Sequence, residues 1–116
     1  MSTTTIEEAM DACAAFPAVE LSYPFGEETP VFKVVGRVFA LLNAEEGPGM
    51  LTLKADPEDA RALVATFADV IPGYHMNKKH WISVHLPSAD VPVAELIADS
   101  YDLVVAGLPR ARRPKP

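Results

Sequence analysis

Two runs of β-branched and aromatic residues, separated by a two-residue connection, constrain this sequence more than any other feature. The first run is Val31–Val35 and the second is Val38–Leu42, and Gly36 and Arg37 connect them. Such runs favour extended strands, and a connection that begins with glycine is typical of a type II′ hairpin. The two strands are therefore expected to pair antiparallel, which makes an antiparallel sheet the basis of the fold.

The rest of the chain supplies three helices and three more strands. The expected helices run from a cap at Thr4 or Thr5 to about Ala15, from Asp56-Pro57 to about Phe67, and from around Asp90–Pro92 to Gly107. The other strands are expected at Val19–Tyr23, Met50–Lys54 and His80 or Trp81 to Leu86, with Val70–Gly73 as a turn. The order α-β-β-β-β-α-β-α predicts an α+β fold, an antiparallel sheet of about five strands with helices packed on one face.

Alternation along the last expected strand predicts which of its side chains are buried. Ile82, Val84 and Leu86 should point into the core, whereas Ser83 and His85 should be substantially more exposed. By the same parity, Thr52 and Lys54 should lie on the solvent-facing side of their strand. One face of the sheet is therefore expected to face water.

Length and charge predict one acidic domain with a basic end. The chain has 116 residues, which suits a single domain, and a formal net charge of −6. Four of its ten basic residues lie after position 109, so residues 1–109 carry a net charge of −10 and are expected to form one domain. Residues 110–116 are expected to form a flexible, basic, proline-containing tail. An acidic body repels polyanions, so contact with DNA would need a local basic surface or this tail.

The single cysteine and the distribution of apolar residues indicate the cellular compartment. Cys13 lies on the apolar stripe of the first expected helix, where a buried, inert thiol is the usual state, and one cysteine excludes an intrachain disulfide. No apolar run approaches the ~18 residues of a membrane span, and the polar start lacks the features of an export signal. These features predict a cytoplasmic protein without membrane contact.

An unusual segment, Ile71–Trp81, packs two histidines, two lysines, an asparagine and two aromatic residues together. With Tyr23-Pro24-Phe25-Gly26, Val31–Val34 and Ser100–Val104, it gives the sequence a resemblance to the MmcQ/YjbR family over about Ile6 to Arg110. The resemblance implies a CyaY-like α+β fold and DNA binding of the double-wing type. It brings no agreed catalytic residues with it.

The sequence offers no support for enzymatic or metal chemistry. His75, His80 and His85 are spaced by five residues, which places neighbours on different faces of a helix or strand, so neither His75 with His80 nor His80 with His85 is predicted to chelate a metal. The spacing leaves open whether His75 and His85 meet across the fold. Glu7, Glu8 and Asp11 are expected to form a solvated helix face. The sequence contains no serine-nucleophile motif and no phosphate-binding glycine loop. We therefore predict no catalytic residue, no metal and no cofactor.

A surface that binds anions is the functional hypothesis that remains. The candidate residues are Lys33, Lys54, His75, Asn77, Lys78, Lys79, His80, Trp81 and His85. Convergence of these side chains would suit phosphate contacts with stacking, and the predicted function is non-enzymatic DNA binding through a local basic patch. The alternative is binding of a small anionic ligand, a phosphate or carboxylate, in a pocket lined by residues 75–81. A third interpretation gives these residues no function: the lysines solubilise the sheet, and Tyr74, Met76 and Trp81 pack a minor core.

Overall fold

A single antiparallel sheet forms the centre of the molecule. The computed structural model describes residues 3–43, 49–74 and 76–115, and within these ranges six strands lie in the spatial order β1-β2-β3-β4-β6-β5. The strands are β1 (Val19–Ser22), β2 (Val31–Val34), β3 (Arg37–Asn43), β4 (Met50–Lys54), β5 (Val70–Pro72) and β6 (Trp81–His85). The helices α1 (Ile6–Ala14), α2 (Pro57–Thr66) and α3 (Val93–Ala106) cover one face. The predicted α+β class is confirmed.

Local capping chemistry determines where the first two helices begin. The Thr5 hydroxyl accepts a hydrogen bond from the Glu8 backbone N–H, and the Glu8 carboxylate accepts one from the Thr5 backbone N–H, so the predicted capping box is present. The Asp56 carboxylate accepts from the Glu58 N–H, and Pro57 occupies the first turn of α2. Both helix starts therefore follow from the sequence.

The hairpin is present, but its turn lies one residue earlier than predicted. Val34 pairs with Arg37, so the two turn residues are Val35 and Gly36. Their φ angles are 48° and 76°, both in the left-handed region that a type I′ turn needs, whereas a type II′ turn over Gly36-Arg37 was expected. A register shift between Phe32 and Lys33 accompanies this turn, and Phe39, which lies between the paired residues Val38 and Ala40, is part of the core.

The expected turn at Val70–Gly73 was wrong, because residues 70–72 form the edge strand β5. Val70 pairs with Val84 and Pro72 with Ile82 of β6. Pro72 has no N–H to donate, which an edge strand tolerates because one side of it has no partner strand. The sheet therefore has six strands instead of about five.

The second face of the sheet is less exposed to solvent than predicted. Ile82, Val84 and Leu86 are buried and His85 is exposed, as expected, but Ser83 is 0% exposed and Thr52 only 1%. Their hydroxyls lie 2.7 Å apart, and the Tyr74 backbone N–H donates to Ser83 Oγ over 2.9 Å. The chain after β5 thus covers this polar pair, which strand parity could not reveal.

Helix α3 is joined to the sheet by a buried serine and an aromatic cluster. Ser100 Oγ donates to the Phe39 carbonyl and accepts from the Lys54 backbone N–H over 2.8 Å. The Tyr101 ring stacks on Phe16 with centroids 4.6 Å apart and meets Phe39 edge-on at 5.3 Å. These contacts hold α3 and α1 against the same part of the sheet.

The chain after α3 continues as a short 3-10 helix, Arg110–Arg112. The Arg113 guanidinium donates to the carbonyls of Leu108 and Ala106, over 3.0 and 2.9 Å. Mobility of this basic segment stays a prediction. Across the described ranges, the longest helix has 14 residues, and none is both long and apolar enough to cross a bilayer.

Candidate functional site

The described part of the connection between β5 and β6, residues 73–74 and 76–80, carries two of the predicted lysines on a hydrogen-bonded turn. The Gly73 N–H donates to the Trp81 carbonyl over 2.9 Å, which closes the base of the connection. Asn77 Oδ1 accepts from the Lys79 backbone N–H over 2.9 Å, an Asx turn that fixes the backbone at the tip. Lys78 and Lys79 are therefore presented from a defined backbone.

A cavity of about 610 Å³ lies between this connection and α2. Three cationic side chains line it, those of Arg61, Lys78 and Lys79. The other described residues that line it are apolar, namely Pro57, Ala60, Val64, Ala65 and Pro72. We call this site the basic groove. It combines positive charge with an apolar surface, a combination that suits an anion attached to an apolar body.

The three cations of the basic groove are not equivalent. Lys78 Nζ donates to the Gly73 carbonyl over 3.0 Å, so Lys78 also stabilises the turn. The side chains of Arg61 and Lys79 are exposed, and within the described part of the chain neither makes a hydrogen bond or ion pair. Arg61 and Lys79 therefore have donors available for a ligand.

The opposite side of α2 carries the reverse charge. Asp56, Asp59, Asp99 and Asp102 line a separate shallow cavity between α2 and α3. Among the described residues, no group of three or more histidine, cysteine or carboxylate side chains could hold a metal ion. Asp59 of α2 and its N-cap Asp56 thus lie apart from the cationic groove, and anions should approach from the groove side.

The other predicted site residues are spread over the second face of the sheet. Lys33 lies on β2 opposite Glu20 of β1, and Lys54 Nζ lies 5.3 Å from the centroid of the Trp81 ring. Because β3 separates their strands, Lys33 and Lys54 are roughly 10 Å apart across the sheet. His80 and His85 are exposed, and His75 lies outside the described residues. The structure thus brings together Lys54 with Trp81, and Lys78 with Lys79.

Arg61 is the groove residue that sequence analysis missed. Its place in α2 indicated only a water-facing side chain, because nothing in the sequence relates α2 to the turn before β6. Contacts of α2 with both β5 and β6 create that relation. Recognising β5 as a strand would have provided the signal, since β5 lies between α2 and the lysines in the chain.

Cys13 is fully buried, and burial raises the pKa of its thiol from 9.0 to about 12. The folded thiol therefore stays protonated, and Ellman's reagent should not label it at about pH 8 unless the protein is unfolded. Because the unfolded thiol ionises near pH 9, the contribution of this site to stability is present below that pH and falls as pH rises further. Rapid labelling of the native protein would contradict this prediction.

Comparison with known proteins gives a consistent result. The model of the YjbR family matches residues 14–103. The chain is 43% identical over 105 residues to the uncharacterised protein YbdF of Escherichia coli O157:H7, with 88% of this chain and 85% of YbdF covered. It is 33% identical over 111 residues to the uncharacterised protein YjbR of Escherichia coli K12, with 94% of each covered.

Two solved structures share the fold. The crystal structure of Deinococcus radiodurans DR2400, described as a DUF419 domain, has 36% identity and a TM-score of 0.79, with 96% of this chain and 86% of that chain covered. A crystal structure of a Pseudomonas syringae protein has 25% identity and a TM-score of 0.71, with coverages of 86% and 98%.

Proposed function

This chain belongs to the YjbR family, and we propose that it is a non-enzymatic, cytoplasmic protein that binds a small anionic ligand in the basic groove. The ligand class is a phosphate or carboxylate attached to an apolar body. Arg61 and Lys79 supply the main charge-assisted hydrogen bonds, and Lys78 adds charge while it stabilises the turn. The apolar floor, which includes Ala60 and Val64, receives the rest of the ligand.

One observation carries the proposal: three cations converge on one cavity of a chain whose net charge is −6. Arginine can form a bidentate pair with a phosphate or carboxylate, and lysine adds a compact charge beside it. The cavity volume of about 610 Å³ falls within the range of ligand pockets, about 300–1,000 Å³. A groove of this size suits a small molecule better than a duplex, which would need a longer basic surface.

Substitution of the exposed cations tests the proposal. Phenyl phosphate is a suitable probe because it joins a phosphate to an apolar ring. We expect Arg61→Gln and Lys79→Gln each to weaken its binding about tenfold, since hydrogen bonds to charged groups contribute roughly 1.5–3 kcal/mol. Stability should change by less than about 0.5 kcal/mol because both side chains are exposed. Isothermal titration calorimetry and urea denaturation measure the two effects.

Lys33→Gln is the matched control, because it removes one cation outside the groove and should leave the affinity unchanged. The double variant Lys78→Ala/Lys79→Ala should lose most binding and some stability, since Lys78 also donates to the Gly73 carbonyl. Equal weakening by Lys33→Gln and Lys79→Gln would show that net charge, and not the groove, attracts the probe.

DNA binding of the double-wing type is the second candidate, favoured by the basic turn after α3. Arg110 and Arg112 are exposed there, where phosphates can reach them. If this interpretation holds, deleting residues 110–116 should lower duplex affinity uniformly across sequences and flatten its salt dependence. Fluorescence anisotropy with labelled duplexes measures both.

Because Arg113 also donates to carbonyls at the end of α3, Arg110→Gln/Arg112→Gln is the cleaner variant. Unchanged duplex binding by both variants would exclude this segment.

A further inference from the structure

A second cavity, of about 280 Å³, lies on the face of the sheet opposite the helices. Leu41, Asn43 and Thr52 contribute from β3 and β4. Four further residues come from the two connections that flank the sheet, Phe25 and Thr29 from the chain between β1 and β2, and Tyr74 and Met76 from the chain between β5 and β6. We call this cavity the back-face pocket. It is separate from the basic groove, because none of the residues that the structure describes lines both cavities.

Two of the sequence segments that carried the family resemblance meet at this pocket. Phe25 belongs to the segment Tyr23-Pro24-Phe25-Gly26, and Tyr74 and Met76 belong to Ile71–Trp81. These segments are almost 50 residues apart in the chain, and only the fold brings them to one cavity. The proposed anion site uses Lys78 and Lys79 but leaves Phe25, Tyr74 and Met76 without a role.

Counting hydrogens shows that the buried hydroxyl pair can donate into the back-face pocket. Thr52 and Ser83 hold two hydroxyl hydrogens, and their mutual bond of 2.7 Å uses one. Either hydroxyl can donate in this bond, and because Ser83 already accepts from the Tyr74 N–H, donation from Ser83 to Thr52 gives each oxygen one accepted hydrogen bond. The Thr52 hydrogen is then left over, and Thr52, not Ser83, lines the cavity. Within the described residues, Ser83 is the only hydrogen-bond partner of the Thr52 hydroxyl.

The walls of the pocket favour an uncharged, flat ligand. Among the described residues that line it, none carries a formal charge, and the apolar contributions come from two aromatic rings, a leucine and a methionine. The Phe25 ring is 74% exposed although it is large and apolar, which leaves its faces available for stacking. Methionine sulfur also packs favourably against aromatic rings.

We propose that the back-face pocket binds one uncharged heteroaromatic ring system of nucleobase size, with a ring nitrogen or carbonyl that accepts a hydrogen bond from Thr52 Oγ1. The Phe25 ring stacks on the ligand, and Leu41 and Met76 pack around its edge. Thr29, which is 8% exposed, offers a second hydroxyl at the cavity wall. A volume of about 280 Å³ suits one or two fused rings and excludes a larger cofactor.

Two matched probes test the proposal: quinoxaline, an uncharged bicyclic ring with acceptor nitrogens, and naphthalene, its isostere without acceptors. Quinoxaline should shift the backbone amide signals of Thr52 and Tyr74 in two-dimensional NMR spectra of the full chain. Thr52→Val should weaken quinoxaline binding about fivefold and leave naphthalene binding unchanged, since a neutral hydrogen bond contributes about 1 kcal/mol. Thr52→Ser keeps the hydroxyl and should retain quinoxaline binding.

Phe25→Ala keeps the test decisive if Thr52→Val fails to fold, because Phe25 is mostly exposed and its removal should weaken both probes. Tyr23→Ala is the matched control, as Tyr23 is an exposed aromatic residue of the same segment that does not line the pocket. Three results would overturn the proposal. They are no amide shifts at roughly millimolar quinoxaline, equal effects of Thr52→Val on both probes, and equal effects of Phe25→Ala and Tyr23→Ala.

Discussion

Replacing Gly73 with alanine should lower the free energy of unfolding by about 2–3 kcal/mol, because the added methyl group has no space. A Cβ atom at this position would lie 2.6 Å from Trp81 Cβ and 3.0 Å from the Trp81 carbonyl oxygen. The two residues cannot separate freely, since the Gly73 N–H donates to that same carbonyl. The connection before β6 would have to shift, so phenyl phosphate binding should weaken as well. Urea denaturation and calorimetry measure the two effects.

Gly107→Ala is the matched control for this prediction. Gly107 has helical backbone angles of −80° and −6°, and its nearest neighbour to an added Cβ is the Val104 carbonyl oxygen at 3.4 Å. That variant should stay within about 0.5 kcal/mol of the parent. If Gly73→Ala unfolds at the same urea concentration as Gly107→Ala, the close packing of Gly73 on Trp81 is wrong.

Ser100→Ala should cost about 2–4 kcal/mol of stability, because it leaves one buried and one part-buried backbone group without their partner. Ser100 is 0% exposed, and its hydroxyl serves the Phe39 carbonyl and the Lys54 N–H. These groups belong to β3 and β4, so the serine hydroxyl links two neighbouring strands to α3. The methyl group of alanine offers neither backbone group a hydrogen bond, so their desolvation cost is not recovered.

Ser22→Ala provides the comparison for Ser100→Ala, since Ser22 is a half-exposed serine at the end of the edge strand β1. We expect little change in the unfolding midpoint for Ser22→Ala and a clear decrease for Ser100→Ala in the same urea series. Similar midpoints for the two variants would mean that the Ser100 hydroxyl does not bridge the helix and the sheet.

Local signals predicted much of the fold. Capping by Thr5 and by Asp56 places the starts of α1 and α2 correctly, because a cap depends on residues within one turn of the helix. The hairpin also follows from local sequence, although its turn uses Val35 with Gly36. A valine with a φ of 48° contradicts local preference, and the two-residue turn between the paired Val34 and Arg37 requires it.

Tertiary contacts explain the errors. Parity along β6 correctly predicted that Ile82 and Val84 are buried. It could not show that Ser83 is buried on the other face, where its hydroxyl bonds to the Tyr74 N–H and to the Thr52 hydroxyl. Strand β5 was missed because three residues ending in proline carry little periodicity, and pairing with β6 makes them a strand.

The candidate site was predictable only in part. The charge and aromatic content of residues 71–81 indicated the segment that carries Lys78 and Lys79. The contribution of Arg61 depends on how α2 packs on β5, and that of Phe25 depends on how the β1–β2 connection reaches the second face of the sheet. No spacing within a sequence encodes either relation, because both join segments that are distant in the chain.

Mapping phenyl phosphate onto the protein by NMR tests the central claim most directly. In two-dimensional spectra of the ¹⁵N-labelled full chain, the largest shift changes should occur in the side-chain signal of Arg61 and the backbone amides of Lys78 and Lys79. The backbone amide signals of Lys33 and Arg110 should not shift. Saturation at roughly millimolar probe would be consistent with a small-ligand site. Changes confined to Arg110–Arg113, or spread over all cations without saturation, would contradict an anion site in the basic groove.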